Sequence, residues 1–169
     1  MSTAQTDLDA LIDSCIATRE SRLEDWETLA FQAKAGDEFR RAQIRYIGSG
    51  ATGDHERDAR IIPSEHFTFS NMLLPPGAVG PEHTHHDAEE VFFVLEGRLE
   101  VCLHDPDDGD RRVVRELGYR DLIRVPPGLP RSLRNPGDED ALFCVIIGAK
   151  KPELPSYPPS SPVAGVTRD

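Results

Sequence analysis

From residue 39 onward, short runs rich in β-branched and aromatic residues alternate with turn signals. FTFSNMLL (67–74) runs into PPG, VFFVLEG (91–97) closes on glycine, and RLEVCLH (98–104) stops at DPDDGD. RRVVREL (111–117), DLIRV (121–125) before a second PPG, and ALFCVIIG (141–148) continue the series. Short strands at regular spacing with Gly, Pro and Asp punctuation predict a mainly β domain, an antiparallel sandwich or barrel. DPDDGD is a hairpin tip by its turn chemistry; its carboxylates lack the ligand spacing of a calcium loop. GSGATGDHERD (48–58) reads as a mobile surface loop.

The first 34 residues follow a different period. Leu8, Leu11, Ile12, Cys15 and Ile16 recur three and four apart, and Leu23, Trp26 and Ala30 extend the stripe, which predicts helix from residue 6 to about 34. Thr6 with Asp9 and Ser21 with Glu24 are two N-terminal capping signals, so two short helices are expected, with the stripe as a packing face. The tail KPELPSYPPSSPVAG is proline-rich, hence extended, and either covers the barrel or a partner or stays disordered. The expected organisation is a helical segment over 1–36, a barrel over 37–150 and a tail over 151–169, with no internal repeat.

Charged residues make up 29% of the chain and hydrophobic ones 38%, an ordinary balance for a soluble globular protein of 169 residues. A net charge of −11 offers no basic face for nucleic acid. An anionic substrate would need a local positive centre. No basic-then-apolar leader is visible and no apolar run approaches the roughly 20 residues of a membrane span. Cys15, Cys102 and Cys144 are odd in number and lack CxxC spacing, which predicts reduced, mostly buried thiols in a cytoplasmic protein.

The candidate chemistry lies in PEHTHHDAEE (81–90), which holds seven possible ligands in ten positions. On a strand, His83 and His85 share a face while His86 points the other way. Glu90 heads the next apolar run, alternating with Phe92 and Val94. Two imidazoles and one carboxylate converging inside a barrel would suit Fe(II), Mn(II), Zn(II) or Ni(II), about one per chain, with positions left open for substrate. A solvated loop would account for Glu82, Asp87 and His86, but not for the wider spacing. Phe67, Phe69, Phe92, Phe93, Leu103 and Ile146 are core by default, with a subset able to line a pocket; Tyr119 and Arg124 are further pocket candidates.

With glycine fixed before and after this group, the chain resembles the cupin family. The family's first motif, G(X)5HXH(X)3–4E(X)6G, is met by Gly77, His83, His85, Glu90 and Gly97. The resemblance covers roughly residues 65 to 148 and implies a small cupin β-barrel, a double-stranded β-helix or jelly roll, with metal on His83, His85 and Glu90. The second motif, G(X)5PXG(X)2H(X)3N, is met by Pro126, Gly128 and Asn135, but Arg120 replaces its glycine and Arg131 replaces its ligand histidine. His66 and His104 lie on other expected strands. Arginine stays protonated and cannot ligate. Arg131 therefore anchors an anionic substrate beside the metal, as a catalytic residue, or pairs with Glu90 in place of metal, or leaves the cavity.

The leading expectation is a metal-dependent enzyme on a small anionic organic substrate, with Fe(II)-type dioxygenase first. Metal-dependent isomerase, lyase or decarboxylase chemistry is the alternative, and a non-catalytic small-molecule-binding cupin is the other. Cupin barrels commonly associate through sheet edges, which implies a homodimer.

Overall fold

A computed structural model describes residues 8–54 and 56–168. Ten strands run β1 (Glu24–Asp25), β2 (Ala42–Ile47), β3 (Thr68–Leu74), β4 (Val79–His83), β5 (Glu90–Glu96), β6 (Leu99–His104), β7 (Arg112–Leu117), β8 (Leu122–Val125), β9 (Arg131–Arg134) and β10 (Ala141–Ile147). They form a six-stranded sheet in the order β1-β2-β3-β10-β5-β8 and a four-stranded sheet in the order β4-β9-β6-β7. Every pairing between these strands is antiparallel. The fold is mainly β, of the cupin barrel and jelly-roll type that the strand pattern implies.

The inner faces follow the two-residue period. On β5, Glu90, Phe92 and Val94 are buried while their alternates are half-buried. Phe92 meets Phe143 of β10 edge to face at 5.8 Å between ring centroids. Phe67, in contrast, is exposed, and β7 is exposed along nearly its whole length.

Three motif positions have structural roles. Gly97 has φ of 70°, and a Cβ there would meet the carbonyl oxygen of Asp140 at 2.5 Å, so the turn needs both the left-handed backbone and the missing side chain. Arg120, at the glycine of the second motif, keeps the glycine-like conformation with φ of 67°. Asn135 is fully buried and structural: its amide donates to the carbonyls of Leu74 and Glu139 at 2.9 and 2.8 Å.

The N-terminal segment departs from the expected helices. Thr6, in the first capping signal, lies outside the described residues; α1 (Leu8–Ser14) is short, with Leu8, Leu11 and Ile12 exposed. The Ser21–Glu24 signal starts no helix. Thr18 and Ser21 instead box a 3-10 turn at Arg19–Ser21, and the chain then extends into β1 against β2. The reason is electrostatic: Arg22 and Asp25 are buried among charged partners. Arg22 faces Asp58 at 3.6 Å, and Asp25 bonds Arg45 of β2 at 3.1 Å. Beyond β1, Leu29 and Phe31 join the barrel core.

The loop after β2 is not simply a surface loop, because Gly50, Thr52 and Asp58 are buried; His55 lies outside the described residues. The tail covers the barrel. Ser156 and Thr84 exchange backbone hydrogen bonds of 3.0 and 2.9 Å, and Val163 is buried.

Candidate metal centre

β4 carries His83 to the rim of the barrel, and its pairing with β9 shifts register between Gly80 and His83. The segment beyond β4 brings His85 inward and leaves His86 and Asp87 exposed. Its course is pinned from both sides: Gly128 N–H donates to the His85 carbonyl at 2.8 Å, and the tail pairs with Thr84. Glu90 opens β5 on the facing sheet. One ligand atom from each of His83, His85 and Glu90 lies within 4.8 Å of the others. The three residues that the sequence brings together by spacing are thus brought together in space.

The protonation pattern suits a cation. His83 Nδ1 lies 2.8 Å from the Pro81 carbonyl oxygen, which places the ring proton there and leaves Nε2 its lone pair. Burial, then the nearby Arg131 charge, holds the His83 pKa well below the ordinary imidazole value. Burial also lowers the pKa of His85, against the opposing pull of Glu90. Both rings are therefore neutral at neutral pH. The His85 ring turns Nε2 toward Glu90 Oε1 at 3.8 Å, the atom that a cation between them would take, while Nδ1 is buried without a hydrogen-bond partner among the described residues. Two neutral imidazoles and a carboxylate fit a divalent transition metal.

Arg131 is buried and committed to Glu90. Its Nε and Nη2 donate to the same oxygen, Oε2, at 2.9 and 2.5 Å, and Nη1 reaches the His83 carbonyl at 3.4 Å. The other oxygen, Oε1, faces His85 Nε2 at 3.8 Å. Of the three placements open to Arg131, the pairing with Glu90 is the one observed, but it occupies only one of the two carboxylate oxygens. Arg131 is not among the residues that line the cavity.

That cavity, about 70 Å³, adjoins the three candidate ligands. Phe92, Phe143 and Met72 line its apolar side. Its polar side holds residues that spacing did not suggest: Arg41 and Gln43 from the β2 segment, Gln32 from the 3-10 turn at Ala30–Ala35, and Tyr157 from the tail. Tyr157 sits over His83, ring centroids 6.3 Å apart, and its hydroxyl accepts a hydrogen bond from Gln32 at 2.9 Å. Burial lowers the Arg41 pKa to about 10, still well above neutrality.

The remaining candidates lie elsewhere. Tyr119 is exposed; Arg124 is exposed and bonds Glu89. His86 is exposed and bonds Ser156 Oγ at 2.8 Å. His104 pairs with Glu82 at 3.4 Å and His66 is exposed, so neither supplies the missing histidine. The α1 helix has seven residues, and no helix among the described residues is long and apolar enough to cross a membrane.

Residues 70–147 match the Cupin_2 family, described as cupin domain. The chain is 25% identical over 97 residues to putative germin-like protein 9-2 of Oryza sativa subsp. japonica, covering 57% of this chain and 44% of that protein. It is 25% identical over 164 residues to an oxalate oxidase of Triticum aestivum, covering 90% of this chain and 73% of the oxidase. Among solved structures, a variant oxalate decarboxylase of Bacillus subtilis superposes with a TM-score of 0.52 at 25% identity, over 65% of this chain and 26% of that one. The chain spans less than half the length of germin-like relatives such as 9-2.

These relatives correct one expectation and weigh on another. Germin-like proteins and oxalate oxidase are secreted, extracellular proteins, which overturns the cytoplasmic assignment. That assignment rested on an unseen leader and on the thiols, and neither constrains the compartment; the cysteines are free, with Cys144 buried, Cys102 half-buried and Cys15 exposed. The relatives are also an oxidase and a decarboxylase, so the alternative chemistry fits better than a dioxygenase. The first motif, the antiparallel barrel built around it and the match over residues 70–147 agree, and the chain belongs to the cupin superfamily.

Proposed function

We propose that this chain is a transition-metal-dependent enzyme that removes carbon dioxide from, or oxidises, a small organic acid anion. The observation that carries the reading is the convergence of His83, His85 and Glu90 within 4.8 Å on a small, largely buried cavity. Three protein ligands leave coordination positions free, and a bound metal would polarise a substrate oxygen and draw off the charge that develops as the carboxylate carbon leaves. The chain's own residues do the rest. The Pro81 carbonyl fixes the His83 tautomer, and Arg131 holds Oε2 of Glu90 so that Oε1 faces the imidazoles. Phe92 and Phe143 exclude water from one side of the cavity, which strengthens every charge interaction within it.

Oxalate oxidase and oxalate decarboxylase among the relatives support the reading of the substrate as a small carboxylate. The test is to load the protein with manganese, iron or zinc, add small mono- and dicarboxylates, and follow carbon dioxide release and oxygen uptake. Release without uptake indicates a decarboxylase, and release with stoichiometric uptake an oxidase. Neither, with any metal, contradicts the reading.

The Arg131–Glu90 pair favours a second reading, a barrel that binds small anions without turnover, in which the guanidinium stands in for the cation. It predicts that the purified protein holds no metal and takes none up.

Self-association into a homodimer is part of the proposal. Leu8, Leu11, Ile12 and Ile16 of the amphipathic N-terminal segment are exposed in the single chain, and an isologous contact would bury them twice over.

A further inference from the structure

Arg41 is 6% exposed, yet among the described residues it makes no ion pair, and its one hydrogen bond runs from Nη1 to the Phe39 carbonyl at 3.3 Å. A guanidinium has five N–H donors, and burying it with so few partners costs several kcal/mol by general estimates. The chain's other deeply buried arginines are treated differently: Arg22, Arg45 and Arg131 each face a carboxylate. Arg41 instead lines the cavity that His83, His85 and Glu90 adjoin.

Two further polar groups there lack partners. Gln32 and Gln43 are 2% and 4% exposed, both line the cavity, and the Oε1 atom of each has no hydrogen bond. Their other amide ends bond hydroxyls: Gln32 to Tyr157 at 2.9 Å and Gln43 to Ser70 at 3.3 Å. A hydroxyl donates or accepts equally well, so either amide can turn its NH2 group toward an anion. Arg41 and Gln43 are alternate residues and share one face of the chain.

We propose that Arg41, with the amides of Gln32 and Gln43, forms a carboxylate-binding subsite opposite the metal ligands, and that the substrate is a short dicarboxylate held at one end here and at the other by the metal. The proposal deepens the reading of His83, His85 and Glu90 as metal ligands and rests on it for the second end. It moves substrate anchoring from Arg131, whose donors are engaged by Glu90, to an arginine outside the matched cupin domain. The metal end then belongs to the matched cupin domain and the recognition end to residues that precede it.

The probe is malonate, titrated calorimetrically into the zinc-loaded and the metal-free protein, with acetate as the one-ended comparison. Zinc-loaded wild type should bind malonate at least about tenfold more tightly than Arg41→Met, whose zinc content stays at the parent's level. Metal-free wild type should bind both anions weakly, and Arg41→Met should lose that binding. Gln43→Leu keeps the guanidinium and should weaken malonate by about threefold or more; it decides alone if Arg41→Met does not fold. Equal malonate affinity in wild type and the folded variants overturns the subsite and leaves the metal reading standing. Arg41-dependent binding in a wild type that takes up no zinc does the reverse.

Discussion

Two nitrogens of Arg131 donate to a single oxygen of Glu90, while the second oxygen of that carboxylate is turned toward His85 at 3.8 Å. The arginine that replaces the family's fourth ligand is therefore compatible with a cation on the far side of Glu90. Such a geometry makes Glu90 a shared anion, held by a fixed positive charge on one side and open to an exchangeable one on the other.

Arg131→Met leaves a buried carboxylate unpaired. In the presence of a chelator the variant should lose about 3–5 kcal/mol of stability, the usual result of breaking a buried pair. Added zinc should recover more of that loss than it adds to the parent, because it supplies the missing positive charge. Thermal melts with zinc and with chelator measure both. A variant as stable as its parent in chelator would show that the pair does not hold Glu90.

Arg120 occupies a left-handed backbone position that glycine fills in the family motif. Arg120→Gly should stabilise the fold by about 1 kcal/mol, the strain of a side chain there. Gly97→Ala should destabilise it by more than that strain alone, because the new Cβ meets the Asp140 carbonyl at 2.5 Å. Chemical denaturation of the two variants reports opposite shifts.

The metal trio was legible because its three members lie within eight positions and their spacing repeats a family motif. The strands flanking it were legible by alternation. One missed strand, β9, lies in a stretch dense in proline and arginine. Arg41, Gln32 and Gln43 gave no signal, because their proximity to His83 is set by folding of a segment forty or more positions away. Arg22 and Asp25 gave no signal either, yet in the fold they are buried against Asp58 and Arg45. A buried charge becomes recognisable only once its partner is placed.

Asp25 links the N-terminal segment to the barrel. Burial raises its pKa, but hydrogen bonds from Thr28 and from the Glu27 and Thr28 amides, with the Arg57 charge, outweigh that and hold it below the ordinary carboxylate value. The folded pKa is the lower one, so the stabilisation is present above about pH 4, the unfolded value, and is lost as pH falls through the folded value. Asp25→Asn should destabilise the protein at neutral pH by about 3–5 kcal/mol and flatten the loss of stability below about pH 4. Urea titrations between neutral pH and about pH 3 check both; an unchanged acid slope in the variant would assign it to other carboxylates.

A dimer built on the N-terminal segment should be visible by light scattering at micromolar concentration. Leu11→Glu with Ile12→Glu should shift the mass to that of one chain without lowering the melting temperature of the barrel. A monomeric wild type would remove self-association from the account.

The central claim is that His83, His85 and Glu90 hold a divalent transition metal, and elemental analysis of the purified protein tests it most directly. Wild type and His86→Ala should carry about one equivalent per chain, because His86 is exposed and faces Ser156. His85→Ala and Glu90→Ala should carry almost none after the same purification. A wild type that holds no metal and gains none on dialysis against zinc, manganese or iron would contradict the claim, as would full retention in both ligand variants.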